Sequence, residues 1–416
     1  MSNARLASWL AVPQKRLKVG GLLALLAVSS FMTPLSLDMY TPAVPYMTEY
    51  FSSDSATVNF TLSGFFFCFT IGMLLFGPAS DCYGRKPVLV ASYLFYTVGS
   101  VACAVAPTIE VLVAARLVQG LGAGGATATG TAIVKDAFVS EHRRSILSIM
   151  QVLFVIGPVV APLLGAGIIG AFDWRASFWV LAVVGACSIA ASCCMDETIC
   201  DSERMAGRLI RSYGRLGTVL HNRGFTVFLV ITSFIDLGFM AYVASASYIY
   251  IDMFGLSEMG YSVYFSVAAL VTIAGPFVYS AVSKRIGSKR YTTAALAAAF
   301  LGGALMLAFG HASPVAFCLT SLVVPLVQAS VRPYSTNILL DQQRGDTGSA
   351  SALINFLHGA IGSVGMVLVI LPWPDFVTAL GSVTAVFAAV GLVAWLGFLK
   401  TRTALAGIKG DEPAQW

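Results

Sequence analysis

Asp38, Arg116, Asp236 and His358 carry charge or a titratable ring deep in stretches of the chain that are otherwise apolar. A charge in the middle of a membrane span costs about 2.5–3.5 kcal/mol or more, so it is retained where it faces protein or water and does work. A carboxylate there can bind and release a proton, and an arginine can hold that carboxylate charged. Asp38 stands alone in the stretch FMTPLSLDMYTPAVP, residues 31–45, and reads as the proton-binding residue of a transporter. By depth, Asp38 lies eight residues before the outer end of its span and Arg116 eight after the outer start of its own, each about 12 Å down at a rise of 1.5 Å per residue. Level with one another, they are expected to pair, directly or through water. A permanent structural salt bridge is the alternative.

Asp236 and His358 fall near the midplane of later spans. Asp236 reads as a second proton site or a ligand for cationic substrates, against a polar group that only faces a water-filled cavity; a lone helical histidine is more often hydrogen-bonded to a neighbour than titrating. Tyr40, Phe234 and Phe239 lie within about one turn of these acids and are expected to line a substrate pocket with Asp38, Asp236 and His358. Arg332, next to Pro333, is read as snorkelling to the inner interface, and Gln328 as able to orient a substrate.

The elements that must position these groups are membrane helices. The 416 residues are 57% hydrophobic and 11% charged, with mean hydropathy +0.81, against about 25% charged in soluble domains. A soluble enzyme is excluded. Apolar runs of spanning length are predicted at about 19–46, 55–79, 87–106, 108–133, 145–170 and 173–195, then at about 224–250, 256–282, 291–311, 313–338, 348–372 and 374–399. The organisation is a six-helix bundle over 1–195, a cytoplasmic linker over 196–223, a second six-helix bundle over 224–400 and a tail over 401–416. With both termini inside, 22 of the 25 Lys and Arg fall on the cytoplasmic side, as the positive-inside rule requires. The net charge of +5 therefore sets orientation and implies no nucleic-acid partner. In the linker, Arg204, Arg208, Arg211 and Arg215 recur at helical spacing, which fits a surface-lying amphipathic helix or a solvated linker. The eight cysteines show no metal-ligand spacing and are expected as free thiols.

Two short stretches have mechanical logic. In GPASDCYGRKPVL, residues 77–89, Gly77 and Pro78 are expected to end a helix, Gly84 to allow a tight reversal, and Asp81 to face Arg85 and Lys86 across it as a conformational latch. Ser80, Gly84 and Lys86 recur as Ser283, Gly287 and Lys289, which makes the two halves structural repeats. In the fifth span, Gly157, Pro158, Pro162 and Gly165 remove bulk and backbone donors, permitting a bend and close packing, expected against span eight.

These stretches carry a resemblance. The 77–89 loop resembles the cytoplasmic signature of the major facilitator superfamily, LVQGLGAGG beside Arg116 its fourth-helix signature, and GPVVAPLLGAG the fifth-helix signature of its antiporters. LDMYTPAVP, GRKPVL and DWRASFW together resemble the bicyclomycin-resistance (Bcr/CflA) drug:proton antiporters. The resemblance implies a monomeric twelve-helix exporter of the bacterial inner membrane. It would trade protons for small lipophilic molecules, with no cofactor but the proton gradient, and with Asp38 and Arg116 in the coupling roles. Cys82 stands where that family has a basic residue, and Lys284 where the repeat would need an acid. No phosphate-cradling glycine loop and no nucleophile with a base partner occurs, so neither ATP nor enzymatic chemistry is expected. A proton-linked transporter of a metabolite such as an amino acid or sugar is the alternative.

Overall fold

The structure is a computed structural model and describes residues 9–200, 204, 216–342, 347–405 and 408. Arg208, Arg211 and Arg215 of the expected linker helix lie outside the described residues. Among the described residues, twelve helices are long and apolar enough to cross a membrane: α1 Lys18–Tyr50, α2 Ser55–Tyr83, α3 Arg85–Ala104, α4 Ile109–Ala137, α5 Ser140–Ala171, α6 Trp174–Cys194, α7 Arg223–Met253, α8 Glu258–Ser283, α9 Arg285–Phe309, α10 Pro314–Asp341, α11 Ser349–Leu368 and α12 Phe376–Lys400. Helices satisfy every backbone group internally, which is what an apolar solvent demands.

The chain divides into two compact units, one of residues 1–43 and 64–213, the other of 44–63 and 214–416. In the first unit α3 packs along α4 and α6, and α1 against α5 and α4. In the second, α7 lies along α11 and α12, and the continuous α8–α9 stretch packs on α10 and α12. Trp395, Phe228, Leu229 and Tyr334 anchor the apolar interior of the second unit. The Trp395 indole Nε1 donates to Thr293 Oγ1 at 3.0 Å, so its one polar group is met.

Three irregularities matter for function. Helix α1 is broken after Asp38 by a 3-10 turn over Thr41–Ala43. Pro42 has no N–H to return to the Asp38 carbonyl, and the Thr41 hydroxyl donates to that oxygen instead, at 2.7 Å. The C-terminal end of α7 widens into a π-helix over Tyr248–Met253. Gly84 and Gly287 both take positive φ, 101° and 71°, so the two residues matched as repeats in sequence share one unusual backbone state. Gly77 and Pro78 do not end a helix, however: α2 runs unbroken to Tyr83. A membrane helix tolerates an internal proline when neighbours re-satisfy the freed carbonyl, and only Gly84 makes the reversal.

Candidate functional site

The break in α1 creates the first site. Asp38 is 3% exposed, and its carboxylate has no hydrogen-bond or ion-pair partner among the described residues. Arg116 is fully buried but does not pair with it. Its Nη1 donates to the Ser36 carbonyl at 3.0 Å and to Gln119 Oε1 at 2.6 Å. The guanidinium lies 4.1 Å from the Phe65 ring centroid, with Tyr40 at 5.6 Å and Phe178 at 5.7 Å. This corrects the direct Asp38–Arg116 ion pair that was one of the two expected arrangements. Depth along two helices fixes height but not the direction each side chain faces, and the helix end at Asp38 leaves nearby carbonyls needing donors. Arg116 supplies one, and its guanidinium makes cation–π contacts with the surrounding rings. Arg116 therefore holds the broken end of α1, the segment that carries Asp38.

Tyr40 is packed against Phe178, centroids 5.2 Å apart, and beneath Arg116. It is buried, so in this conformation it is an interior ring rather than a pocket wall.

The second site was only half visible in sequence. On α7, Asp236 is 5% exposed. Its Oδ1 accepts from Gln328 Nε2 at 2.9 Å and Arg332 Nη1 at 3.1 Å, and its Oδ2 faces His358 Nδ1 at 2.5 Å. Arg332 Nη2 donates to Asn355 Oδ1 at 3.1 Å, and Ser233 Oγ lies 3.2 Å from His358 Nδ1. Helical spacing assembles the cluster. Gln328 and Arg332 are four apart on α10, Ser233 and Asp236 three apart on α7, and Asn355 and His358 three apart on α11, each pair on one face. On that same α11 face, Gly362 and Gly365 lie close against Met240 and the Leu237 carbonyl, and the small residues let the two backbones approach.

Arg332 thus does not snorkel: a buried acid within reach outcompetes the interface. Phe234 is also corrected. It packs on Phe387 of α12, centroids 5.7 Å apart, because residues two apart on a helix do not share a face. Phe239, three after Asp236, is half-buried.

In the 77–89 stretch, Asp81 Oδ1 pairs with Arg85 Nη1 at 2.6 Å, and Arg85 Nε with Asp136 Oδ2 at 2.7 Å. Lys86 does not join them; its Nζ donates to the Cys193 carbonyl at 2.8 Å. Sequence reading missed Glu197, just past α6. Its carboxylate accepts the backbone N–H of Arg85 at 3.0 Å and of Lys86 at 3.2 Å, capping the positive start of α3. The adjacent acids Asp196 and Glu197 directly after a membrane helix were the available signal. In the fifth-span motif, Gly157 closes on Pro34 and Gly165 on the Met39 carbonyl, so these residues pack α5 onto the broken helix α1.

Twelve apolar helices in two units, with intramembrane charges buried inside each, define a polytopic membrane transporter. The chain belongs to the Major Facilitator Superfamily, whose family profile matches residues 26–366; it is a transporter of small molecules and not an enzyme, a multi-pass protein of the bacterial inner membrane. It is 30% identical over 395 residues, 94% of this chain and 97% of the other, to the uncharacterised MFS-type transporter YdgK of Bacillus subtilis. It is 24% identical to a bicyclomycin resistance protein homolog of Haemophilus influenzae, over 82% of this chain and 86% of that one, and 27% identical to a chloramphenicol resistance protein of Pseudomonas aeruginosa, over 89% and 90%. Its fold is shared with the crystal structure of the peptide transporter POT in complex with sulfate, at TM-score 0.71 and 16% identity over 96% of this chain and 97% of that one.

Proposed function

We propose that this protein is a proton-coupled exporter of small, lipophilic, drug-like molecules, working as an antiporter by alternating access with both termini in the cytoplasm. The observation that carries the reading is Asp38: a carboxylate 3% exposed, unpartnered among the described residues, at a break in a membrane helix. Broken helices at mid-membrane are where coupling ions bind in secondary transporters. A proton removes the charge that burial makes costly, so binding and release of that proton change which conformation α1 favours. Arg116 keeps the broken end in register through the Ser36 carbonyl, and the proton gradient is the only energy source invoked. The relatives named for bicyclomycin and chloramphenicol resistance support a drug-like cargo.

A second reading, a proton-linked transporter of a polar metabolite, draws on the cluster around Asp236, whose paired charges suit a polar ligand. Growth of a drug-sensitive bacterial host on a panel of inhibitors that includes chloramphenicol decides between them. The exporter reading expects the wild type to protect against at least one lipophilic inhibitor and Asp38→Asn to lose that protection at equal expression. Protection by neither protein, with accumulation of a labelled amino acid or sugar by the wild type, would favour the metabolite reading.

A further inference from the structure

Asp38 is not the only intramembrane site at which this chain can hold a proton. In the Asp236 cluster, Gln328 and Arg332 are donors only, and both are directed at Oδ1. Arg332 adds a positive charge 3.1 Å away. A carboxylate so placed is an acceptor on both oxygens. Oδ2 then accepts from Nδ1–H of His358, and with Nδ1 protonated the neutral ring leaves Nε2 as a bare lone pair. His358 is 1% exposed, and its Nε2 has no partner among the described residues.

We infer that His358 is a second proton-binding site, taking up a hydron at Nε2, with Asp236 as the positioning residue and counter-charge. The step is imidazole plus a proton giving imidazolium, with no bond broken; the Asp236–Arg332–His358 trio goes from net zero to +1. The charged groups acting on the ring are Asp236 from α7 and Arg332 from α10. Helix α12, which also touches α11, carries no titratable residue from Phe376 to Leu399. Asp236 therefore does not carry the proton itself. It is locked as a charge, whereas Asp38 in the other unit is not. The proposal rests on the proton-coupled reading only for its consequence, that each unit contributes one proton site of different chemistry.

The site is read without transport. The full chain has four histidines, and replacing His142, His221 and His311 with Gln leaves His358 as the sole imidazole. Nitrogen-15 spectra of that protein in nanodiscs are followed from about pH 9 to about pH 5. The expected result is Nδ1 protonated and Nε2 bare at the alkaline end, with Nε2 gaining a proton on acidification. Asp236→Asn on this background should lower the proton affinity of the ring about tenfold or more, one pH unit. Arg332→Gln, a second variant should the first fail to fold, should raise it. The opposite tautomer at the alkaline end, a ring neutral throughout, or a midpoint unmoved by the variant obtained would overturn the inference. Loss of proton-driven efflux in Asp38→Asn tests the exporter reading separately, and either result can stand without the other.

Discussion

Gly84 shows how one residue can hold a membrane protein's loop. Its φ of 101° and ψ of 154° lie in a region open almost solely to glycine, and a Cβ there would stand 2.5 Å from Glu197 Oε2. Gly287, its counterpart in the repeat, has a similar backbone at φ 71° and ψ 161° but open space around it. Alanine costs about 1–3 kcal/mol of backbone strain at either position; at Gly84 it must also push Glu197 off the N-terminus of α3. Thermal unfolding of the purified protein should show a larger fall for Gly84→Ala than for Gly287→Ala. Equal falls would mean that Glu197 does not secure the loop.

At this scale the sequence made the costly residues conspicuous but not their partners. Asp38, Asp236, Arg116 and His358 stand out because charge in an apolar span has a price. Which carboxylate met which arginine depended on helix rotation, and counting residues gives depth alone. That is why the expected Asp38–Arg116 pair gave way to Arg116–Ser36, and why Arg332–Asp236 was not anticipated.

Among the elements, α1 and α5 form a contact sensitive to side-chain volume. Gly165 of α5 abuts the Met39 carbonyl at the break in α1, whereas Gly167 and Gly170 face open space. Gly165→Ala should therefore cut efflux severalfold and lower thermal stability, while Gly167→Ala and Gly170→Ala leave both near wild type. Comparable losses at all three would point to general helix softness instead of this one close approach. The glycines and prolines were legible as a motif; the helix they face was not, because small residues announce proximity without naming the neighbour.

The start of α12 gives a prediction in pH. Burial pushes the Asp375 carboxyl up, but the Thr378 N–H at 2.8 Å, the Thr378 hydroxyl at 2.7 Å and the His311 ring at 3.0 Å outweigh it and hold the group below its ordinary value. A depressed carboxylate contributes stability above its unfolded-state pKa and loses it as pH falls through the folded one. Asp375→Asn should lower stability at neutral pH and narrow its gap to wild type on acidification, as followed by unfolding of the detergent-solubilised protein. A gap independent of pH would show that the cap acts without its charge.

For the whole molecule, the count and order of spans were legible, since apolar length reports directly on bilayer thickness. All twelve appear, with ends shifted by a few residues. The assignment of residues 44–63 to the second unit was not legible, because chain order says nothing about which unit a helix end packs with. A proton-driven exporter makes one demand of the intact assembly: movement of cargo must discharge a proton gradient, and Asp38 must be the reason. In everted membrane vesicles carrying a pH-sensitive dye, a lipophilic compound against which the protein protects should dissipate an imposed pH gradient when the wild type is present and should leave it intact with Asp38→Asn. Equal dissipation by the two proteins would contradict the account at its centre.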